Sequence, residues 1–172
     1  AGRSEKLDAL AIYTNSFEVE TLSPHILAPG KLTEKAARGK ILFESPMVGC
    51  AQCHSGPYFT DSNLTSPKVH DVGTGSDDPS EKMGPKYDTP SLIGAYRTAP
   101  YLHHGKAATL ADLLTKNNPG DKHGKTSQLK ANEVDDLVEF LKSIPYEFPP
   151  RETANSVKYR LIGHKENSAV EK

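Results

Sequence analysis

Cys50-Ala51-Gln52-Cys53-His54 decides how the rest of the chain is read. Two thiols at this spacing, followed at once by an imidazole, match covalent haem attachment: each thiol can form a thioether to a haem vinyl group, and the adjacent His can turn beneath the ring to ligate iron. Other uses of these residues fit less well. A zinc site needs two further thiolates or a second His pair at ligand spacing, and the chain has 2 Cys, both within the motif. A redox dithiol normally sits at a helix start after a strand, and nothing ahead of Cys50 reads as a strand. The expected cofactor is one covalent haem c, bound through Cys50 and Cys53 with His54 as proximal iron ligand.

A length of 172 residues suits one domain with long loops, and 35% hydrophobic content with 13 Pro and 13 Gly implies a modest core that the haem itself helps to fill. A formal charge of −1 gives no basic excess for nucleic acid or a membrane surface. The sequence shows neither a signal peptide nor a transmembrane stretch. An N-terminus of Ala1-Gly2-Arg3-Ser4 is compatible with a removed leader or with a cut from a longer chain.

Outward from the motif, the pattern is helical. Ser4 can cap a short helix with Leu7, Leu10 and Ala11 on one face. Thr33 is placed to cap a second helix that runs through Ala36 and Ala37 to Phe43 and stops at Ser45-Pro46, because Pro biases the preceding residue away from helical geometry. A short helix is expected at about Leu110 to Lys116, capped by Thr109. The clearest spans Ala131 to Ser143, with Val134, Leu137, Val138, Leu141 and Ile144 on one stripe and Pro145 ending it. Asp71-Val72-Gly73-Thr74 and its neighbours are candidates for a small hairpin.

Gly39 with Phe43 ahead of the motif, and Leu137 with Phe140 on the last helix, resemble the crossed terminal helices of class I cytochromes c. Glycine permits close backbone approach at such a crossing, and an aromatic fills the space beside it. A second resemblance covers about Thr33 to Ile144. The blocks Cys50 to Pro57, Phe59-Thr60-Asp61, Asp71 to Gly75, Thr89-Pro90-Ser91-Leu92, Thr98 to Gly105 and Ala108-Thr109-Leu110 resemble the C-terminal, electron-transferring haem domain of bacterial di-haem cytochrome c peroxidases and MauG-like proteins. Ile93 and His104 depart from the Arg and Asp usual there. The resemblance implies a mainly α, class I cytochrome c-like domain around one covalent haem, with long loops. It also implies export to the periplasm or beyond, where bacterial haem c is attached. The organisation expected is 1–32 as an N-terminal helix and linker, resembling the remnant of a preceding domain; 33–146 as the haem domain; and 147–172 as a C-terminal extension.

The sixth iron ligand decides whether iron only passes electrons or also binds small molecules. Met47 lies too near Cys50, and His25, His70 and His164 sit in irregular polar segments where a surface role is expected. Resemblance makes His103 a residue beside the haem rather than a ligand. At the position of the family's axial Met or Tyr the chain has Thr115-Lys116-Asn117-Asn118. The next loop, Pro119-Gly120-Asp121-Lys122-His123-Gly124, precedes the final helix, where a distal ligand enters in class I cytochromes; His123 is the first choice. Met83, in the loop before Gly84-Pro85, is the rival, and an open iron the third alternative. Arg97 and Tyr101 flank the block expected beside the haem, and Arg97 can pair with a propionate in place of the Arg missing at Ile93.

Two functional classes follow. One is electron transfer, as a carrier or an electron-entry subunit of a larger assembly, with a redox protein or another haem subunit as partner and no catalytic residue. The other is a domain or subunit of a peroxidase or MauG-type enzyme, with His103, His104 or Glu81 as acid–base candidates. A di-haem enzyme needs two attachment motifs, and this chain carries one.

Overall fold

The computed structural model describes residues 4–15, 21–63, 66–75 and 85–148. It divides into two units: Leu22–Pro149 contains the core, and helix α1 (Glu5–Asn15) belongs to the other. Ser4 Oγ accepts from the Leu7 N–H at 3.2 Å and so caps α1 as expected. Its apolar face differs from expectation. Leu7 and Leu10 are each 54% exposed, because Ile12 and Tyr13 fall off the stripe and a helix this short presents too few apolar side chains to define a core face.

Within the larger unit, α2 (Glu34–Glu44) begins at Thr33, whose hydroxyl accepts from the Ala36 N–H at 3.1 Å, and ends at Ser45 in extended geometry before Pro46. It buries Ala36, Gly39 and Phe43, which lie on one face. Helix α3 (Leu110–Leu114) is capped by Thr109 and stops short of Lys116: the Asn117 N–H turns back to Asp112 O, and Thr115 has left helical geometry. Helix α4 (Ala131–Lys142) starts where the Glu133 carboxylate accepts from the Lys130 N–H at 2.7 Å. Its buried stripe is Val134, Leu137, Phe140 and Leu141.

Helices α2 and α4 pack directly on each other at Gly39. A Cβ placed there would lie 1.9 Å from Asp136 O and 2.9 Å from Phe140 Cβ, so only glycine allows this approach. Beside the crossing, Arg38 holds Asp136 through two hydrogen bonds of 2.7 and 2.8 Å, a bidentate pair that satisfies a buried carboxylate. Phe43, Leu110, Leu114, Val134, Leu137, Phe140, Leu141 and Ile144 form the core, and Cys50, Ala51 and Phe59 pack against it. The motif is therefore anchored to the helix crossing.

The hairpin strands are β1 (Val69–His70) and β2 (Tyr87–Asp88), antiparallel with His70 opposite Tyr87. Asp71–Thr74 is not itself strand. The Asp71 carboxylate accepts from the Gly73 N–H and Gly73 takes φ +82°, which makes this stretch a turn. Among the described residues no helix is long and apolar enough to cross a membrane.

Candidate haem site

Gly49, at φ +87°, leads into a single 3-10 turn over Cys50–Gln52. The N–H groups of Cys53 and His54 both donate to Cys50 O, at 3.3 and 3.0 Å, so the two thiols and the imidazole are wound into one tight coil. Both thiols are free, and burial pushes Cys50 up to about 11 and Cys53 above its ordinary value. Redox dithiols need the opposite shift, toward thiolate.

His54 is oriented from behind. Its Nδ1 donates to Phe59 O at 3.0 Å, which fixes the tautomer and leaves the Nε2 lone pair available. Phe59 presents that carbonyl from a left-handed backbone conformation, φ +54°, uncommon for a bulky residue. Its ring is gripped by Phe43 at 5.9 Å, Phe140 at 6.3 Å and Tyr146 at 6.5 Å, and core packing thus holds the strained carbonyl in place.

His123 lies close by. The two imidazole centroids are 6.2 Å apart with an interplanar angle of 36°. Two metal–nitrogen bonds of about 2.0–2.1 Å and two ring radii of about 1.1 Å span about 6.2–6.4 Å, so the rings stand at the separation of two ligands sharing one metal ion. Burial, reinforced by His54, pushes His123 down to about 4; burial also lowers His54, partly countered by the Phe59 carbonyl. Both rings are therefore neutral near pH 7, the form that ligates. Among the described residues, buried His123 Nδ1 finds no hydrogen-bond partner, an exception that calls for a further group. These residues fit an iron porphyrin held between two imidazoles, with Cys50 and Cys53 beside it for attachment.

The loop that carries His123 is shaped by positive φ at Gly120, Asp121 and Gly124. Lys125 N–H donates to Val48 O at 2.8 Å, and a Cβ at Gly124 would sit 3.2 Å from Val48 O and 3.7 Å from Cys50 Sγ. Glycine at 124 lets the loop close onto the attachment segment.

The other candidates are placed differently. The Arg97 guanidinium lies over the Tyr96 ring at 5.7 Å, and Tyr101 donates its hydroxyl to Ala95 O at 2.8 Å while packing against the core. His103 stacks on Tyr87 at 4.0 Å, with His104 at 4.2 Å. Met83, Glu81 and His164 lie outside the described residues. His70 is not a plain surface residue: it is half-buried on β1, with Nε2 2.9 Å from Asp61 Oδ2. The ligand atoms of Asp61, His70 and Cys53 all lie within 4.8 Å of one another. Burial opposes ionisation of Asp61, but the Thr89 hydroxyl and His70 outweigh it and hold the carboxyl below its usual range. Sequence spacing gives no sign of this pair, whose members stand nine positions apart in the chain.

No family model matches the chain. In sequence it is similar to hydrazine synthase subunit gamma of Kuenenia stuttgartiensis, 36% identical over 81% of this chain and 49% of that protein. Cytochrome-c peroxidase IdrP1 of Denitromonas iodatirespirans is 30% identical over 66% of this chain and 41% of its own length. Methylamine utilization protein MauG of Methylorubrum extorquens is 32% identical over 65% of this chain and 35% of its own. Among solved structures, Kuenenia stuttgartiensis hydrazine synthase pressurised with xenon superposes with a TM-score of 0.67 at 35% identity, over 81% of this chain and 55% of that one. A MauG-like protein associated with microbial copper homeostasis gives a TM-score of 0.50 at 25% identity, over 66% of this chain and 47% of that one. The chain spans about half the length, or less, of the curated relatives it matches.

Proposed function

From the premise that this chain is a c-type cytochrome related to the cytochrome-c peroxidase and MauG-like proteins, we propose that it transfers electrons through one covalent haem c closed by two axial histidines. The observation that carries this reading is the pair of half-buried imidazoles, His54 and His123, with ring centroids 6.2 Å apart and both pushed toward the neutral form. Bound here, haem supplies reversible one-electron chemistry at iron. Cys50 and Cys53 would form the thioethers, His54 would ligate through Nε2 with its ring held by Phe59 O, and His123 would supply the second imidazole. Arg97 and Tyr101 remain the candidates to line the haem, Arg97 as a propionate partner once its guanidinium leaves the Tyr96 ring. With both imidazoles bound, iron would offer peroxide no open position, and the chain by itself would act as a carrier rather than a peroxidase.

The alignment with a hydrazine synthase subunit covers 81% of the chain, against 66 and 65% for the peroxidase and MauG. That breadth supports a place within a larger redox assembly; we read the role there as electron entry, by an exported chain working against a redox protein or another haem subunit. The test is to produce the chain with haem c maturation machinery. Denaturing gels should retain one haem per chain, and carbon monoxide should leave the ferrous spectrum unchanged on mixing. Haem lost on denaturation, immediate carbon monoxide binding, or peroxide turnover by the chain alone would each refute the reading.

A further inference from the structure

We propose that Asn118 is the positioning residue for His123: its buried carboxamide holds the ligand loop so that the imidazole stays opposite His54 and the iron stays closed. The inference rests on the reading of His123 as a ligand. Asn118 is 7% exposed. Its Oδ1 accepts from the His123 backbone N–H at 2.7 Å, and its Nδ2 donates to Gly124 O at 2.7 Å and to Thr126 Oγ at 2.8 Å. The amide has one workable orientation, since a backbone N–H must meet its oxygen and a backbone carbonyl its NH2 group.

Thr126, 3% exposed, accepts from Asn118 and donates its own hydroxyl proton to Leu114 O, the last residue of α3. A continuous line of hydrogen bonds therefore runs from the backbone of His123 through two buried side chains to a helix end seated in the core. A fully satisfied buried network of this kind rigidifies what it joins. Among the described residues the loop has no other comparable anchor at His123. Asp121 binds Ser127 at the rim, and Lys125 binds Val48, but neither contact touches the His123 backbone. Removing the carboxamide leaves the His123 N–H, Gly124 O and Thr126 hydroxyl short of a partner, and in a loop with three positive-φ residues such groups relax by moving toward water.

The test uses the haem-loaded full chain, with ferric spin state and the rate of carbon monoxide binding to the ferrous form as readouts. In the unaltered protein that rate is set by departure of His123. Asn118→Ala, at unchanged haem content, should introduce a high-spin ferric fraction and raise the rate by about tenfold or more, the loss of a buried hydrogen-bond partner being of that order. Thr126→Val, which keeps the side-chain shape and removes the relay, should shift both readouts the same way by less; it decides the matter if Asn118→Ala does not fold. Unchanged spin state and rate in these variants, beside a high-spin His123→Ala, would overturn the positioning role and leave His123 as ligand standing. A His123→Ala protein that remains low-spin would instead overturn the ligand reading itself.

Discussion

Gly39→Ala should destabilise the haem-loaded protein by about 2 kcal/mol, although it improves the intrinsic preference for helix. The added methyl would lie 1.9 Å from Asp136 O, and reaching ordinary contact at 3.4 Å requires 3.4 − 1.9 = 1.5 Å of movement. That carbonyl belongs to α4 and can retreat only with the helix. Separation on this scale opens the contact between Phe43 and Phe140, now 5.1 Å between centroids, and a radial gap of about 0.5–1 Å already forfeits a quarter to a half of a dispersion well. Overpacking at this severity falls at the upper end of its usual range of about 1–3 kcal/mol, while alanine over glycine in a helix returns about 1 kcal/mol. With about 4 °C of midpoint per kcal/mol for a unit of this size, the melting temperature followed by circular dichroism should fall by about 8 °C. A variant that melts at or above the temperature of the unaltered protein would refute the close crossing and with it the anchoring of the haem segment.

Two further outcomes follow from the same contacts. Arg38 holds the Asp136 carboxyl below its ordinary value, chiefly by hydrogen bonding; a depressed folded value contributes stability that is present above the unfolded pKa of about 3.9 and is lost as pH falls through the folded value. Melting temperature against pH should therefore drop below about pH 4 in the unaltered protein, and Asp136→Asn should be less stable at pH 7 with a flatter acid limb; identical profiles would contradict the pairing. Phe59→Ala should cost about 3 kcal/mol, the low end for a large aromatic because the ring is half-buried. It should also shift the reduction potential, since the carbonyl that orients His54 loses its packing; chemical denaturation and potentiometric titration measure the two effects separately.

Much of this fold is legible in the chain because its signals are local. Thr33 and Ser45-Pro46 bound α2, and the apolar spacing from Val134 to Leu141 marks the buried face of α4. Gly39 is readable as a close approach only because Phe43 and Phe140 stand near it on the two helices. The glycine-flanked loop ahead of the last helix, with no Met or Tyr at the family's usual ligand position, makes His123 the first choice over Met83 or an open iron, and in the folded chain its ring lies 6.2 Å from that of His54. The rest depends on tertiary closure. Asn118 reads as one more turn residue until the loop folds back and places His123, Gly124 and Thr126 around its carboxamide. Asp61 and His70, nine positions apart, meet in a way no spacing rule encodes, and the exposure of Leu7 and Leu10 cannot be told from a short amphipathic pattern.

The measurement that bears most directly on the two-histidine site is the electron paramagnetic resonance and near-infrared spectrum of the ferric, haem-loaded chain, alone and as His123→Ala and Met83→Ala. Low-spin iron with two nitrogen ligands is expected, with no sulfur-to-iron charge-transfer band, unchanged in Met83→Ala and converted to high-spin or water-ligated iron in His123→Ala. A sulfur-to-iron band that survives His123→Ala and disappears in Met83→Ala, or native iron that is high-spin, would contradict it.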